Sequence, residues 1–262
     1  MYRSPRQVVS SFVFLTAMFC LTTHAWCRET GSNVRDFLQK SESILYHPED
    51  SGLTFLSFDV PQDFAPGRPL WTVSVRWSAR DGAKVEGNLS EDVPITPASR
   101  DKIRSSFPFM GDSFLAYQLN RTATRLLLCS DATFAGTERG LTKVRFVPKP
   151  TAFTNFREKT LFFDAKFILK SAITLTSEGI TLTETFTWRS VRSGSQLLIL
   201  GSSTSQAVIK GATVNRVITY DYKAFDKWTL MSRITAKTTG LPKNPPDESL
   251  VFTNVIAKGN KR

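Results

Sequence analysis

Most of this chain is a succession of short segments with the alternating pattern of β-strands. In the clearest of them, residues 180–188, one face is apolar and the other consists of threonines: Ile180, Leu182, Phe186 and Trp188 against Thr181, Thr183, Thr185 and Thr187. Glu184 is the one charge on the apolar face. Because a strand has a period of two, a slip of one residue would invert every member of such a pattern. The pattern therefore predicts a strand with its apolar face towards the interior.

Similar segments recur through the chain and are separated by turn signals such as Asp81-Gly82, Ser177-Glu178-Gly179 and Ser193-Gly194-Ser195. Further strands are predicted at residues 53–60, 71–77, 124–129, 141–147, 161–170, 172–176, 196–200, 207–209, 214–222, 228–236 and 250–257. Successive hairpins of this kind favour a long, curved antiparallel meander with one face covered.

Helices are predicted at the start and in the middle of this meander. Residues 34–46 place Val34, Phe37 and Leu38 on one helical face. Thr96-Pro97 is typical of a helix start, and Pro108 is expected to end that short helix before a second one runs to residue 119. The predicted fold class is mainly β (α+β): a curved antiparallel sheet or incomplete barrel with an N-terminal helix and short inserted helices.

Residues 1–25 have the organisation of a secretory signal peptide. Arg3 and Arg6 precede the apolar stretch 8–21, and Thr23-His24-Ala25 is a small-x-small cleavage site. A membrane anchor is the alternative, but the apolar run is shorter than the roughly 20 residues that a spanning helix needs. We therefore expect a periplasmic or secreted protein with a single β-rich domain over residues 26–262.

Export would leave two cysteines in an oxidising compartment. Cys20 lies in the signal segment, so Cys27 and Cys129 are the candidate disulfide pair. Such a bridge would close a long loop and add on the order of 4–5 kcal/mol of stability in the chain-entropy model. The alternative is two free thiols.

The charge balance favours anionic partners. The formal net charge is +11, and loss of Arg3 and Arg6 would leave +9. Nucleic acid is not expected, because basic residues do not interleave tightly with aromatic ones. The basic, phenylalanine-rich stretch 139–170 could instead present a cationic rim to a lipid headgroup or an anionic membrane surface: Lys143, Arg145, Lys159 and Lys166. The alternative is that these residues are the polar outer faces of strands with a phenylalanine core.

No motif in the sequence predicts catalysis. His47 is the only histidine after the signal segment, which excludes a histidine-based metal cluster. The block Gly111-Asp112-Ser113-Phe114 has a nucleophile-like order, but no histidine follows it, and a helix cap explains it better. Carboxylates are scattered through turn-like contexts. We expect neither enzymatic activity nor a metal or cofactor.

The order of elements resembles that of the periplasmic lipoprotein-carrier (LolA-like) superfamily. The resemblance rests on the leading helix 34–46 and on the closing strands, with Tyr220-Asp221-Tyr222, Leu241-Pro242 and Phe252-Thr253-Asn254-Val255. It implies an unclosed curved sheet wrapped over helices, with an apolar cavity that shields a lipid or an acylated lipoprotein from water.

On that basis the expected ligand-binding residues are aromatic or large and apolar: Phe107, Phe109, Met110, Phe114, Phe186 and Trp188. The first four, on the inserted helices, either line and cover such a cavity or plug the core. A secreted hydrolase that uses carboxylates and a structural envelope protein without a ligand are the alternative functions.

Overall fold

The computed structural model describes residues 32–259, apart from 66–67, 94, 122, 151–153, 243 and 246. The helices are α1 (Ser32–Ser43), α2 (Pro97–Leu119) and α3 (Ala123–Cys129), with a short 3-10 helix at Pro48–Ser51. The strands are β1 (Leu53–Ala65), β2 (Arg68–Ser78), β3 (Gly82–Leu89), β4 (Ser130–Glu138), β5 (Leu141–Pro148), β6 (Phe156–Phe163), β7 (Leu169–Thr176), β8 (Thr181–Ser190), β9 (Leu198–Ile209), β10 (Ala212–Phe225), β11 (Trp228–Thr239), β12 (Glu248–Val251) and β13 (Thr253–Gly259).

The strands form two antiparallel sheets that do not close into a barrel. The large sheet has nine strands in the order β12-β11-β10-β9-β8-β7-β6-β5-β4, so each strand pairs with its neighbour in the sequence. The small sheet has the order β13-β1-β2-β3. Phe252 alone separates β12 from β13, and the chain passes there from one sheet to the other. The predicted fold class, mainly β with an N-terminal helix, is confirmed.

The predicted register of β8 is also confirmed. Leu182 and Glu184 are buried, Phe186 and Trp188 are half-buried, and the four threonines between them are exposed. A carboxylate therefore lies on the covered face of the large sheet, where apolar side chains are the norm.

The prediction that Pro108 ends a helix is wrong. Helix α2 continues through Pro108 to Leu119, and its start is as expected, with Thr96 accepting a hydrogen bond from the backbone of Ser99. A proline inside a helix costs about 3 kcal/mol, because it removes one hydrogen bond and crowds the preceding turn. Here Pro108 is exposed, so water can reach the freed carbonyl, while Phe107 and Met110 beside it are buried.

Other boundaries differ from the prediction as well. Residues 124–129 form helix α3 instead of a strand, and this helix packs against α1. Strand β4 follows it without any predicted counterpart. The separate strands expected at 196–200 and 207–209 are one strand, β9, whereas the expected strand 250–257 is divided into β12 and β13.

The C-terminal end of α2 is fixed to its surroundings by buried polar side chains. The amide of Gln118 donates to the carbonyl of Met231 at 2.8 Å and accepts from its N–H at 3.0 Å, as a neighbouring strand would. Asn120 donates to the carbonyl of Tyr46 at 3.0 Å. The ring of His47 contacts the carbonyl of Leu119 at 2.9 Å, which explains its burial.

The apolar core consists of two clusters. One lies between α2, the small sheet and strands β9 to β12, and the other lies under α1 and α3 against β4 to β7. Phe186 packs against both from its position on β8. The space between the clusters is therefore bounded by the ends of α2 and α3 and by the middle of the large sheet.

Two predictions lie outside the described residues: the signal segment 1–25 and the Cys27 half of the proposed disulfide. Within the described part of the chain, none of the helices combines the length and the apolar character that crossing a membrane requires.

Candidate functional site

A cavity of about 60 Å³, partly open to solvent, lies between the two core clusters. Its roof consists of residues from the end of α2 and from α3, and its floor consists of side chains from β6 to β11. The lining residues are Ala116, Tyr117, Asn120, Ala123, Leu126, Lys159, Leu161, Leu169, Glu184, Phe186, Trp188, Leu200, Tyr222 and Met231. The wall is therefore largely apolar with a few polar groups, as in many small-molecule sites.

Lys159 and Glu184 place a buried ion pair in the wall of this cavity. The ammonium nitrogen of Lys159 lies 3.5 Å from Oε2 of Glu184. The Glu184 side chain is 1% exposed and that of Lys159 is 10% exposed. Removing two charges from water is costly unless they are paired and hydrogen-bonded. Stability alone therefore does not explain an ion pair at this depth.

Strand register explains how these two residues meet. Lys159 on β6 lies opposite Thr174 on β7, which in turn lies opposite Leu182 on β8. Glu184 is two residues beyond Leu182 and faces the same side. The long lysine side chain thus crosses one intervening strand to reach the carboxylate.

Two tyrosines of the cavity wall are also buried deeply enough to change their acidity. Burial raises the pKa of Tyr117 well above its usual value, and nearby Tyr220 and Glu184 raise it further. Burial likewise raises the pKa of Tyr222. Both phenols therefore stay protonated and can donate as well as accept a hydrogen bond.

Tyr222 has unused hydrogen-bonding capacity. Its hydroxyl oxygen is buried and makes no hydrogen bond of ordinary geometry with the described residues, although the backbone of Leu200 lies near it. Thr174, next to Lys159 in the sheet, also has a buried hydroxyl without such a partner in the described part of the chain. Buried polar groups are usually satisfied, so these two need an explanation.

A second ion pair, with one buried partner, lies on the same face of the sheet. Arg216 on β10 contacts Glu248 on β12 at 2.8 Å. Ser205 on β9 lies opposite Glu184 on one side and opposite Arg216 on the other. The buried face of the large sheet thus carries a row of polar groups that begins at the cavity and leads away from it.

The structure separates the predicted ligand-binding residues into two sets. Phe186 and Trp188 line the cavity, and the indole of Trp188 donates to the carbonyl of Leu169 at 2.7 Å. The four residues of α2 lie elsewhere: Phe107, Phe109, Met110 and Phe114 are not among the lining residues.

Three of those four residues pack into the core beside the small sheet. The ring of Phe107 lies 6.5 Å from that of Trp71, and the ring of Phe114 lies 6.0 Å from that of Phe252. Met110 belongs to the same cluster, whereas Phe109 is half-buried. In this structure they fill the core between α2 and the small sheet.

The predicted cationic residues do not lie together as one rim. Lys143 and Arg145 are on β5, where buried Val144 and Phe146 point the other way, and they pair with Glu138 and Glu158. Lys159 faces the cavity and is paired with Glu184. Lys166 is exposed in the turn after β6.

The polar side of the site is only partly visible in the sequence. Glu184 gave a signal, as the one charge on an otherwise apolar strand face. Lys159 belongs to the predicted cationic rim, but the sequence does not pair it with Glu184, and Tyr222 is predicted only as part of a strand end. Their proximity depends on strand pairing over separations of 25 residues and more, which local patterns do not reveal.

No model of a known protein family matches this chain, and no curated protein matches it either. Among the described residues, no group of three or more histidine, cysteine, aspartate or glutamate side chains is arranged to hold a metal ion.

Proposed function

We propose that this chain is an exported binding or carrier protein that shields an apolar or lipid-like ligand in the cavity between its large sheet and helices α2 and α3. The observation that supports this most strongly is the cavity itself, which separates two otherwise well-packed core clusters. Protein interiors are normally close-packed, so a void with an opening costs stability that a ligand would restore.

The size of the cavity limits what part of a ligand it holds. An engineered apolar cavity of about 150 Å³ binds benzene. At about 60 Å³, the present cavity holds one end of a chain, and the remainder extends through the open side. Each methylene removed from water contributes roughly 0.8 kcal/mol, so even a short inserted segment gives measurable affinity.

Binding without chemistry is favoured over the alternatives. A glycosidase-type hydrolase needs two carboxyl groups facing a common substrate. The cavity wall contains one carboxylate, Glu184, and it is held by Lys159. A purely structural envelope protein would have no use for the cavity. The signal-like segment 1–25 and the resemblance to lipoprotein carriers support export and a lipid-like ligand.

Trp188 offers a direct test, because its indole is part of the cavity wall. A bromine atom on a short alkyl chain quenches tryptophan fluorescence only at close range. We expect bromohexane to quench the fluorescence of the wild-type protein saturably, and the quenching to disappear in Trp188→Phe. Trp77→Phe, on β2 of the small sheet, is the matched control and should retain it. Quenching that does not saturate, or that survives in Trp188→Phe unchanged, would contradict the proposal.

A further inference from the structure

The polar groups of the cavity wall differ in how much hydrogen-bonding capacity they have left. The amide nitrogen of Asn120 donates one hydrogen bond to the carbonyl of Tyr46, and Tyr117 is hydrogen-bonded to Tyr220. The ammonium group of Lys159 makes one hydrogen bond among the described residues, to Glu184, and such a group has three donors. The Lys159 ammonium group and the Tyr222 hydroxyl can therefore form hydrogen bonds with a polar group of a ligand.

The ion pair makes this polar part of the wall electrically neutral. The charge of Lys159 is compensated by Glu184 at 3.5 Å. A carboxylate or phosphate entering the cavity would meet the ammonium and the carboxylate together, and would lose its own hydration without a net counter-charge. A hydroxyl loses far less on burial and can both donate and accept.

Resting on the proposed function, we infer that the cavity selects ligands with an uncharged, hydrogen-bonding head, such as a long-chain alcohol, and disfavours those with an anionic head. In this arrangement the head accepts a hydrogen bond from Lys159 and exchanges one with Tyr222, while the alkyl part lies against Leu200, Phe186 and Trp188. The buried hydroxyl of Tyr222 then has a partner.

This selectivity differs from what the basic composition of the chain predicts. The net charge of +11 favours anionic ligands, but only through groups that can reach them. Lys143 and Arg145 are paired on the opposite face of the sheet, and Lys159 is neutralised inside. The charge at the binding site, and not that of the whole chain, decides which head is accepted.

Octanol and octanoate test the inference, because at neutral pH they share one chain and differ in the charge of the head. We expect calorimetric titration of the wild-type protein to give octanol at least about tenfold tighter binding than octanoate. Glu184→Gln removes the compensating charge and keeps the shape. It should shift the preference towards octanoate by at least about tenfold.

Tyr222→Phe keeps every charge and tests the hydroxyl separately, even if Glu184→Gln does not fold. Octanol should bind this variant about three- to tenfold more weakly. Tyr46→Phe is the matched control, because Tyr46 is also buried but lies outside the cavity wall, where its hydroxyl accepts a hydrogen bond from the backbone of Thr229. This variant should bind octanol as the wild type does.

The possible outcomes distinguish the inference from the function on which it rests. If neither ligand binds and bromohexane does not quench Trp188, the proposed function itself fails. If octanoate binds the wild type as tightly as octanol, or Tyr222→Phe leaves octanol binding unchanged, the cavity is a binding site but the selectivity for uncharged heads is overturned. A wild-type preference for octanol that Glu184→Gln reverses and Tyr222→Phe weakens supports it.

Discussion

The ammonium group of Lys159 on β6 lies 3.5 Å from the carboxylate of Glu184 on β8, across the intervening strand β7. Both residues face the helices, in the gap between the two core clusters. This contact links a region of the sheet covered by α1 and α3 to one covered by α2. It also contributes the charged groups of a largely apolar cavity.

Removing one partner of this ion pair should destabilise the protein far more than replacing both partners. Lys159→Met or Glu184→Leu alone leaves one buried charge uncompensated and should lower the free energy of unfolding by about 3–5 kcal/mol. The two substitutions together remove both charges and should leave the protein near wild-type stability or above it. Urea denaturation of the four proteins measures the coupling.

The surface pair of Lys143 and Glu138 is the control for that cycle. Its groups are 3.4 Å apart, but the Glu138 side chain is 55% exposed. Lys143→Met should therefore change the free energy of unfolding by less than about 1 kcal/mol. If Lys159→Met lowers the free energy of unfolding no more than Lys143→Met does, water stabilises the Glu184 carboxylate that is left behind. That result would contradict the expected penalty.

Gln118 should be essential for holding α2 against the large sheet. Gln118→Leu leaves the N–H and the carbonyl of Met231 buried without their partners. We expect a loss of about 2–4 kcal/mol in the free energy of unfolding, measured by urea denaturation. Gln206→Leu, which removes an exposed hydrogen bond to Asn215, should cost much less. Equal losses for the two variants would contradict this role.

Asp164 should make the stability of the protein fall in acid. Burial raises the pKa of its carboxyl, but hydrogen bonds from the backbone of Ile168 and Lys166 and the charge of Lys170 outweigh this and lower the pKa overall. The carboxylate is thus favoured in the folded state. Its contribution is fully present above the unfolded value of about 3.9 and is lost as the pH falls through the lower folded pKa.

Asp164→Ala should therefore destabilise the protein by about 1–2 kcal/mol at neutral pH. The difference from the wild type should shrink as the pH falls through the acidic range. Asp131→Asn, at an exposed position of β4, is the control and should follow the wild-type profile. A difference that stays constant down to the lowest pH would exclude the proposed role of the carboxylate.

The disulfide between Cys27 and Cys129 remains a prediction. Cys129 is buried in the cluster that also contains Val34 of α1. Cys27 lies seven residues before Val34, a span of at most about 25 Å, so the bridge is within reach. Intact mass of the exported protein without reductant should be two hydrogens below that of the reduced chain, and alkylation of both thiols would disprove the pairing.

Local patterns predicted the strands well where the alternation was complete. In β8, four exposed threonines and an apolar face fixed the register, and the one anomalous residue, Glu184, proved to belong to the cavity. The prediction failed where tertiary packing outweighs local preference. Pro108 does not end α2, because the helix gains more from the contacts of Phe107 and Met110 with the core than the proline costs.

The cavity could be predicted only in outline. Phe186 and Trp188 are among the expected ligand-binding residues, and both line the cavity. Phe107 and Phe114, which were expected to cover it, lie over the small sheet on the continuous helix α2, and the roof consists of residues from the end of that helix and from α3. Which residues meet across the sheet depends on pairings such as Lys159 with Thr174, and these become known only from the structure.

The dependence of affinity on chain length tests the central claim, that an alkyl chain enters this cavity, most directly. Calorimetric titration with ethanol, propanol, butanol and hexanol should show dissociation constants that fall about fourfold with each methylene that enters the cavity, which corresponds to roughly 0.8 kcal/mol. The dissociation constants should change little once the chain reaches the opening. Ala123→Leu, which fills the cavity from α3, should weaken the binding of hexanol more than that of the shorter alcohols. Affinities that do not change with chain length, or that Ala123→Leu leaves unaltered, would contradict the account.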